Sequence, residues 1–146
     1  GFSGMVQGQM LDIASEGLNL SADELKTMHR LKTGALIEAA LACGALLGGA
    51  DQRQKDLLNN YARKIGLAFQ VADDILNVEG DPELMGKSAG TDSLREKSTY
   101  PSVLGIRASK EFAEKLVIES LQALETFDKQ ADPLRAIARY IIERKR

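Results

Sequence analysis

The residues best suited to chemistry lie together in Phe69-Gln70-Val71-Ala72-Asp73-Asp74-Ile75-Leu76-Asn77. On a helix, Gln70, Asp73, Asp74 and Asn77 sit at offsets 0, 3, 4 and 7, which stacks oxygen-bearing side chains along one face over two turns. Adjacent carboxylates repel unless something positive lies beside them. Hard oxygen ligands in this arrangement suit Mg²⁺, which keeps several of its waters and bridges to phosphate. Val71, Ile75 and Leu76 fall elsewhere on the helix and can hold it in a core. On these residues alone, a solvated acidic patch near a helix end is the other reading.

Two further segments offer positive charge. Lys32-Thr33-Gly34 sits inside a helical pattern, where Lys32 provides a point charge for a phosphate. Gly34 weakens a helix by about 1 kcal/mol relative to Ala and so permits a kink or a close approach. Without other support, Lys32 and Thr33 read equally as surface residues. The second segment carries Gly86-Lys87-Ser88-Ala89-Gly90-Thr91-Asp92 and Lys97-Ser98-Thr99-Tyr100-Pro101. Lysines, glycines and hydroxyls just after an acidic helix could form a lid that keeps water from a metal-bound phosphate, or simply a polar loop. His29 is the only histidine and has no second ligand at metal spacing, so it reads as a packed or surface residue. Cys43, flanked by Leu41, Ala42, Ala45 and Leu46, reads as a small core residue. No nucleophile elbow, Walker loop or dinucleotide-binding glycine fingerprint occurs.

These residues must be positioned by helices. The chain has 146 residues, 44% hydrophobic and 27% charged, which suits one soluble globular unit and excludes a disordered tail or fibre. Nineteen basic and 21 acidic residues leave a net charge of −2, which gives no whole-domain signal for nucleic acid. A single cysteine fits a reducing compartment, and no secretory signal is visible at the start. The stretch from Ala35 to Ala50 carries Glu38 and three glycines, falls short of a membrane span and reads as a buried helix. Helical spacing covers residues 4–17. Ser21 with Glu24 forms a capping box that opens a helix ending at Gly48-Gly49, and Asp51 with Gln54 opens another that reaches about Val78. Periodicity fails from Glu79 to Tyr100, a loop long enough to be functional or disordered. Helical patterning returns at about 101–109, from Ser109 to Gln130, and from Pro133 to Arg146. The expected fold is all-α, in one unit.

In their order and spacing, Gly4-Met5-Val6, Gly8-Gln9 with Asp12, Lys32-Thr33-Gly34, Phe69-Gln70 with Asp73-Asp74, Gly80-Asp81, Gly86-Lys87, Gly90-Thr91-Asp92, Lys97-Ser98-Thr99-Tyr100-Pro101 and Tyr140-Ile141-Ile142 resemble the C-terminal half of the trans-prenyl diphosphate synthases. This is the polyprenyl synthetase family, and the likeness is to its bacterial farnesyl diphosphate synthase type. The resemblance implies a partial helical bundle of the isoprenoid synthase fold and a Mg²⁺-assisted condensation of an allylic diphosphate with isopentenyl diphosphate. By position it assigns Mg²⁺ to Asp73, with Asp74 ordering metal-bound water and Asn77 as the third member. Lys32 and Lys87 would hold the allylic diphosphate. Thr33 and Gln70 would face the developing carbocation, Phe69 would pack against the isopentenyl group, and Lys97 would be the lid lysine with Asp92 a partner to a lysine or metal-bound water.

The chain departs from the family pattern where Asn77 replaces the third acid of the second DDxxD motif and where Glu96 precedes the lid lysine in place of glycine. The first aspartate-rich motif is absent, and no other acidic pair has DDxxD spacing. The resemblance therefore implies the C-terminal part of a synthase whose N-terminal half is supplied in cis or in trans, inactive when isolated and prone to homo-oligomerise through uncovered apolar faces. A cytoplasmic location and no nucleic-acid partner go with it. The alternative is a non-catalytic regulatory or diphosphate-binding half-subunit.

Overall fold

The computed structural model describes residues 1–79 and 97–144. The expected loop residues Lys87, Asp92 and Glu96 lie outside the described residues. Every regular element among those described is helical. A π-helical turn, Phe2–Val6, is broken by non-helical angles at Gly4 and runs into α1 (Gln7–Ala14). Helix α2 (Ala22–His29) opens on the expected capping box: the Glu24 amide donates to Ser21 Oγ at 3.3 Å, and the Ser21 amide donates to Glu24 Oε2 at 2.9 Å. The rod continues through a π-helical segment, Arg30–Gly34, into α3 (Ala35–Leu47), and stops at Gly48-Gly49, where Gly49 takes a left-handed φ of 70°.

Helix α4 (Gln52–Glu79) is the longest element at 28 residues, about 42 Å at the usual α-helical rise. Asp51 caps it as its sequence indicates, with Gln54 N donating to Asp51 Oδ1 at 2.7 Å and Asp51 N to Gln54 Oε1 at 2.9 Å. After the undescribed residues, Thr99 caps α5 (Tyr100–Leu104) through a third reciprocal box with Ser102. Gly105, with φ 83°, turns the chain into α6 (Ile106–Ala123). A 3₁₀ turn, Lys129–Ala131, leads to α7 (Asp132–Glu143), whose first turn carries Pro133.

The core is organised on α4. Its Tyr61, Ile65, Ala68 and Val71 pack with Leu116 and Val117 of α6, Ala138 and Ile141 of α7, and Leu25 and Met28 of α2. Glycines set the closest approaches. A Cβ on Gly8 would lie 2.2 Å from the Lys32 amide nitrogen, and one on Gly66 would lie 3.2 Å from Gly34 Cα. Only glycine lets α1 cross the π-helical segment backbone to backbone, and that crossing brings Asp12 to Lys32. Arg135 closes the far end by donating to the carbonyls of Leu124 and Phe127, each at 2.7 Å, where α6 has run out of helical partners.

Four expectations are corrected. The stretch from Ala35 to Ala50 is not buried: only one side of α3, with Ile37, Leu41 and Ala45, meets the core, while Leu36 and Leu46 are each 64% exposed and Leu47 90%. α3 is apolar on all sides, and a helix so composed covers only the side that finds a partner. Cys43 is consequently exposed rather than a core residue. The helix expected from Ser109 to Gln130 begins earlier, at Ile106, and ends at Ala123, because the Leu124 and Phe127 carbonyls turn to Arg135. The first helix stops at Ala14 rather than residue 17, since Gly17 adopts φ 76° in the following turn.

Candidate functional site

The site is assembled from α1, the π-helical segment, α4 and the residues just before α5. The π-helical segment carries Lys32 and Thr33. An inserted π turn adds a residue to the helical register and re-aims the side chains it contains, and such turns occur often at functional sites. Here it directs Lys32 to α1 and Thr33 to α4. Lys32 Nζ donates to Asp12 Oδ2 at 2.8 Å, and Lys97 Nζ donates to the same oxygen at 2.7 Å. Lys97 also lies 3.5 Å from Glu16. Asp12 is buried at 5% exposure. Burial alone would push its carboxyl up; the hydrogen bonds and charges of Lys32 and Lys97 outweigh that and hold it below the usual carboxylate range.

A second chain of contacts runs along α4. Thr33 Oγ1 donates to Gln70 Oε1 at 3.1 Å, and Gln70 Nε2 donates to Asp74 Oδ1 at 3.1 Å. The other Asp74 oxygen accepts the Tyr100 amide at 2.9 Å, the first amide of α5. Asp74 thus joins α4 to the segment bearing Lys97. His29 Nε2 stands 3.7 Å from Asp74 Oδ2, beyond hydrogen-bond reach, and the His29 ring stacks on Tyr100 with centroids 5.8 Å apart.

The face expected to hold Gln70, Asp73, Asp74 and Asn77 together is divided. Successive helical residues point about 100° apart. Asp74 and Asn77 turn into the protein, 3% and 6% exposed, and both are hydrogen-bonded or otherwise paired there. Asp73 turns outward with its side chain 48% exposed. Its nearest cation is Arg144, whose Nη2 lies 3.5 Å from Asp73 Oδ1 and donates to the Phe69 carbonyl at 3.2 Å. The Arg144 guanidinium sits 4.3 Å above the Phe69 ring, a cation–π arrangement. Sequence reasoning placed Lys32, Thr33, Phe69, Gln70, Asp73, Asp74, Asn77 and Lys97 in the site; the structure brings all of these but the buried Asn77 around two adjoining clusters, and Lys87 lies outside the described residues. It did not place Arg144 over Phe69, and it missed the pairing role of Asp12. Gly8 was the available signal for Asp12, because a glycine at a helix crossing marks where two backbones, and the residues one turn on, come together.

The arrangement can receive an anion between two lysines while offering one open carboxylate to a divalent cation. Magnesium commonly binds through one or two carboxylates with water and substrate phosphate completing its shell, so Asp73 fits that mode. Among the described residues, no group of three His, Cys, Asp or Glu side chains converges as a closed metal cage. No described helix is long and apolar enough to cross a membrane.

The fold and these residues define a class: residues 2–140 match the polyprenyl synthetase family model, and the chain belongs to that family. The architecture is the corresponding part of the isoprenoid synthase fold. Geranylgeranyl pyrophosphate synthase of Catharanthus roseus is 46% identical over 99% of this chain and 41% of its own length. Farnesyl diphosphate synthase of Escherichia coli is 44% identical over the whole chain and 50% of its own length. A geranyltransferase from Helicobacter pylori, solved with magnesium and isoprenyl diphosphate, superposes with a TM-score of 0.80 at 32% identity, over 98% of this chain and 47% of that one. The chain spans half or less of the length of the curated relatives it matches.

Proposed function

We propose that this chain supplies the second aspartate-rich, diphosphate-holding side of a prenyl diphosphate synthase that joins an allylic diphosphate to isopentenyl diphosphate, of geranyl or farnesyl diphosphate synthase type. The observation that carries the reading is the convergence of Lys32 and Lys97 on Asp12 beside the Thr33–Gln70 pair, in a chain of this family. Lys32 and Lys97, with Lys87, bind the allylic diphosphate and spread the charge of the leaving group. Asp73 would hold Mg²⁺, which when bound would supply positive charge to the diphosphate. Asp74 keeps the Gln70 amide oriented, so that Gln70 Oε1 and Thr33 Oγ1 present oxygen dipoles to the positive carbon. Phe69 packs against the isopentenyl group, and Arg144, stacked on that ring, offers a cation beside it. The apolar bundle excludes water from the cation. The other acidic motif of the synthase comes from an N-terminal half, in cis or in trans.

The test is calorimetry with geranyl diphosphate and Mg²⁺, followed by turnover of labelled isopentenyl diphosphate. The chain is expected to show a Mg²⁺-dependent component of geranyl diphosphate binding, to lose that component in Asp73→Ala, and to condense substrate only when an N-terminal half is supplied. Absence of Mg²⁺-dependent binding overturns the reading. The second reading, a non-catalytic half-subunit, draws on Asn77 and Glu96 standing where the family pattern has a third acid and a glycine; binding without turnover in the presence of the added half selects it.

A further inference from the structure

A second cationic concavity of about 480 Å³ opens between α2, α4 and α6, and it shares no lining residue with the clusters around Asp12 and Asp73. Its rim is built from four elements: Lys26 from α2, Arg30 from the π-helical segment, Arg63 and Lys64 from α4, and Lys115 from α6. Two carboxylates answer these five cations. Glu38 accepts from Arg63 Nε at 3.2 Å, and Glu119 accepts from Lys64 with Lys115 3.9 Å away. The rim is thus strongly positive in a chain whose net charge is −2. Lys26 and Arg30 are exposed and, among the described residues, have no side-chain carboxylate within ion-pair distance, while the side chains of Lys115 and Arg63 are 71% and 56% exposed. Below the rim, Leu67 and Leu116 are buried and Phe112 half-buried, which gives the concavity an apolar floor.

We propose that this groove binds a small diphosphate-bearing molecule, its phosphates on the Lys26–Arg30–Lys64–Lys115 rim and its carbon portion against Leu67, Phe112 and Leu116. Cations drawn from several helical elements surround a concave site, so several phosphate oxygens can be met at once, which favours a compact polyanion over an extended acidic surface. The apolar floor adds affinity for an attached hydrophobic or planar group. A prenyl diphosphate and a nucleoside diphosphate share this chemistry. The inference is independent of the reaction proposed above.

The experiment is a titration of the ¹⁵N-labelled chain, followed by two-dimensional NMR with Mg²⁺ removed by chelator so that metal-dependent binding at Asp73 is silent. The probes are geranyl diphosphate, ADP and inorganic diphosphate. Saturable shifts are expected at the amides of Asn60, Lys64, Phe112 and Lys115 with geranyl diphosphate or ADP, and the tighter of the two identifies the source. In the Lys26→Glu/Lys115→Glu variant the affinity should fall at least about tenfold, or ~1.4 kcal/mol. Both replaced residues are exposed, so the fold should persist, as checked by the unchanged remainder of the spectrum. No saturable shift at these amides, shifts confined to Lys32, Gln70 and Asp73, or equal affinity for inorganic diphosphate each overturns the proposal.

Discussion

Lys97 and Asp12, 85 residues apart in the chain, meet at 2.7 Å with the carboxylate almost fully enclosed. That contact fixes the segment before α5 on α1, and Lys32 shares it from a third element. The carboxylate keeps two ammonium groups near one another in the absence of a bound anion; remove it, and they repel.

Replacing Asp12 by asparagine should therefore destabilise the protein. Breaking a buried pair generally costs about 3–5 kcal/mol. Here both lysines retain some solvent, so about 2 kcal/mol is expected, or a fall of roughly 4–8 °C in Tm. The Asp12 carboxyl is held below the usual range, so its contribution is present above the unfolded value near pH 4 and is lost as pH falls through the lower folded value. Urea melts of wild type and Asp12→Asn should converge in that acid window; a gap that persists there contradicts the assignment.

Asp73 and Asp74 are neighbours in sequence with opposite consequences. Asp74→Asn turns one amide donor toward either the Tyr100 amide or the Gln70 side chain and should cost about 1–3 kcal/mol. Asp73→Asn alters a half-exposed group and should change stability by less than about 0.5 kcal/mol while removing Mg²⁺-dependent diphosphate binding. Denaturant melts paired with calorimetry separate the two.

The glycines on α1 and α3 make a matched test of packing. A methyl at Gly8 meets backbone at 2.2 Å and should destabilise by about 3 kcal/mol, the upper range for overpacking. A methyl at Gly44 would meet nothing within 4 Å, and Gly44 sits inside α3, so Gly44→Ala should stabilise by about 0.5–1 kcal/mol. Thermal melts of both variants read the difference directly.

At the alkaline end, burial pushes the Tyr61 hydroxyl up to about 12, and Tyr61 OH donates to the Leu134 carbonyl at 2.8 Å. Burial, followed by the charge of Asp74, also raises Tyr100. Between about pH 10 and 12 the unfolded chain releases these protons while the folded chain keeps them, so stability should fall as pH rises through that window. Tyr61→Phe should flatten the fall, as followed by urea melts across the alkaline range.

Much of this architecture was legible in local sequence. The boxes at Ser21 and Asp51 are set by residues three apart, and both caps form where their side chains place them. The outward turn of Asp73 and the inward turn of Asp74 were not legible, because a helical stripe gives angular spacing without saying which neighbour covers which angle. Asp74 is drawn in by the α5 amide of Tyr100, a contact between residues 26 positions apart. Cys43 was misplaced for the same reason: its apolar neighbours describe α3, whereas burial depends on what lies against α3. The positive charge of Arg144 was legible but its place was not, since only the return of α7 toward α4 brings it over Phe69.

The π-helical segment Arg30–Gly34 also makes the length of this rod a structural variable. A π turn holds one residue more than the α turn it interrupts, so deleting a single residue there would let regular α-helix close across the gap. Everything downstream would keep nearly its present facing, with Ile37 and Leu41 still against α4 and Leu36 and Leu46 still exposed. The change would fall on the segment itself, because Lys32 and Thr33 could no longer address α1 and α4 from successive positions. Along this stretch, substitutions are constrained one side chain at a time, whereas a one-residue gap would uncouple the lysine from the threonine and leave the core in place.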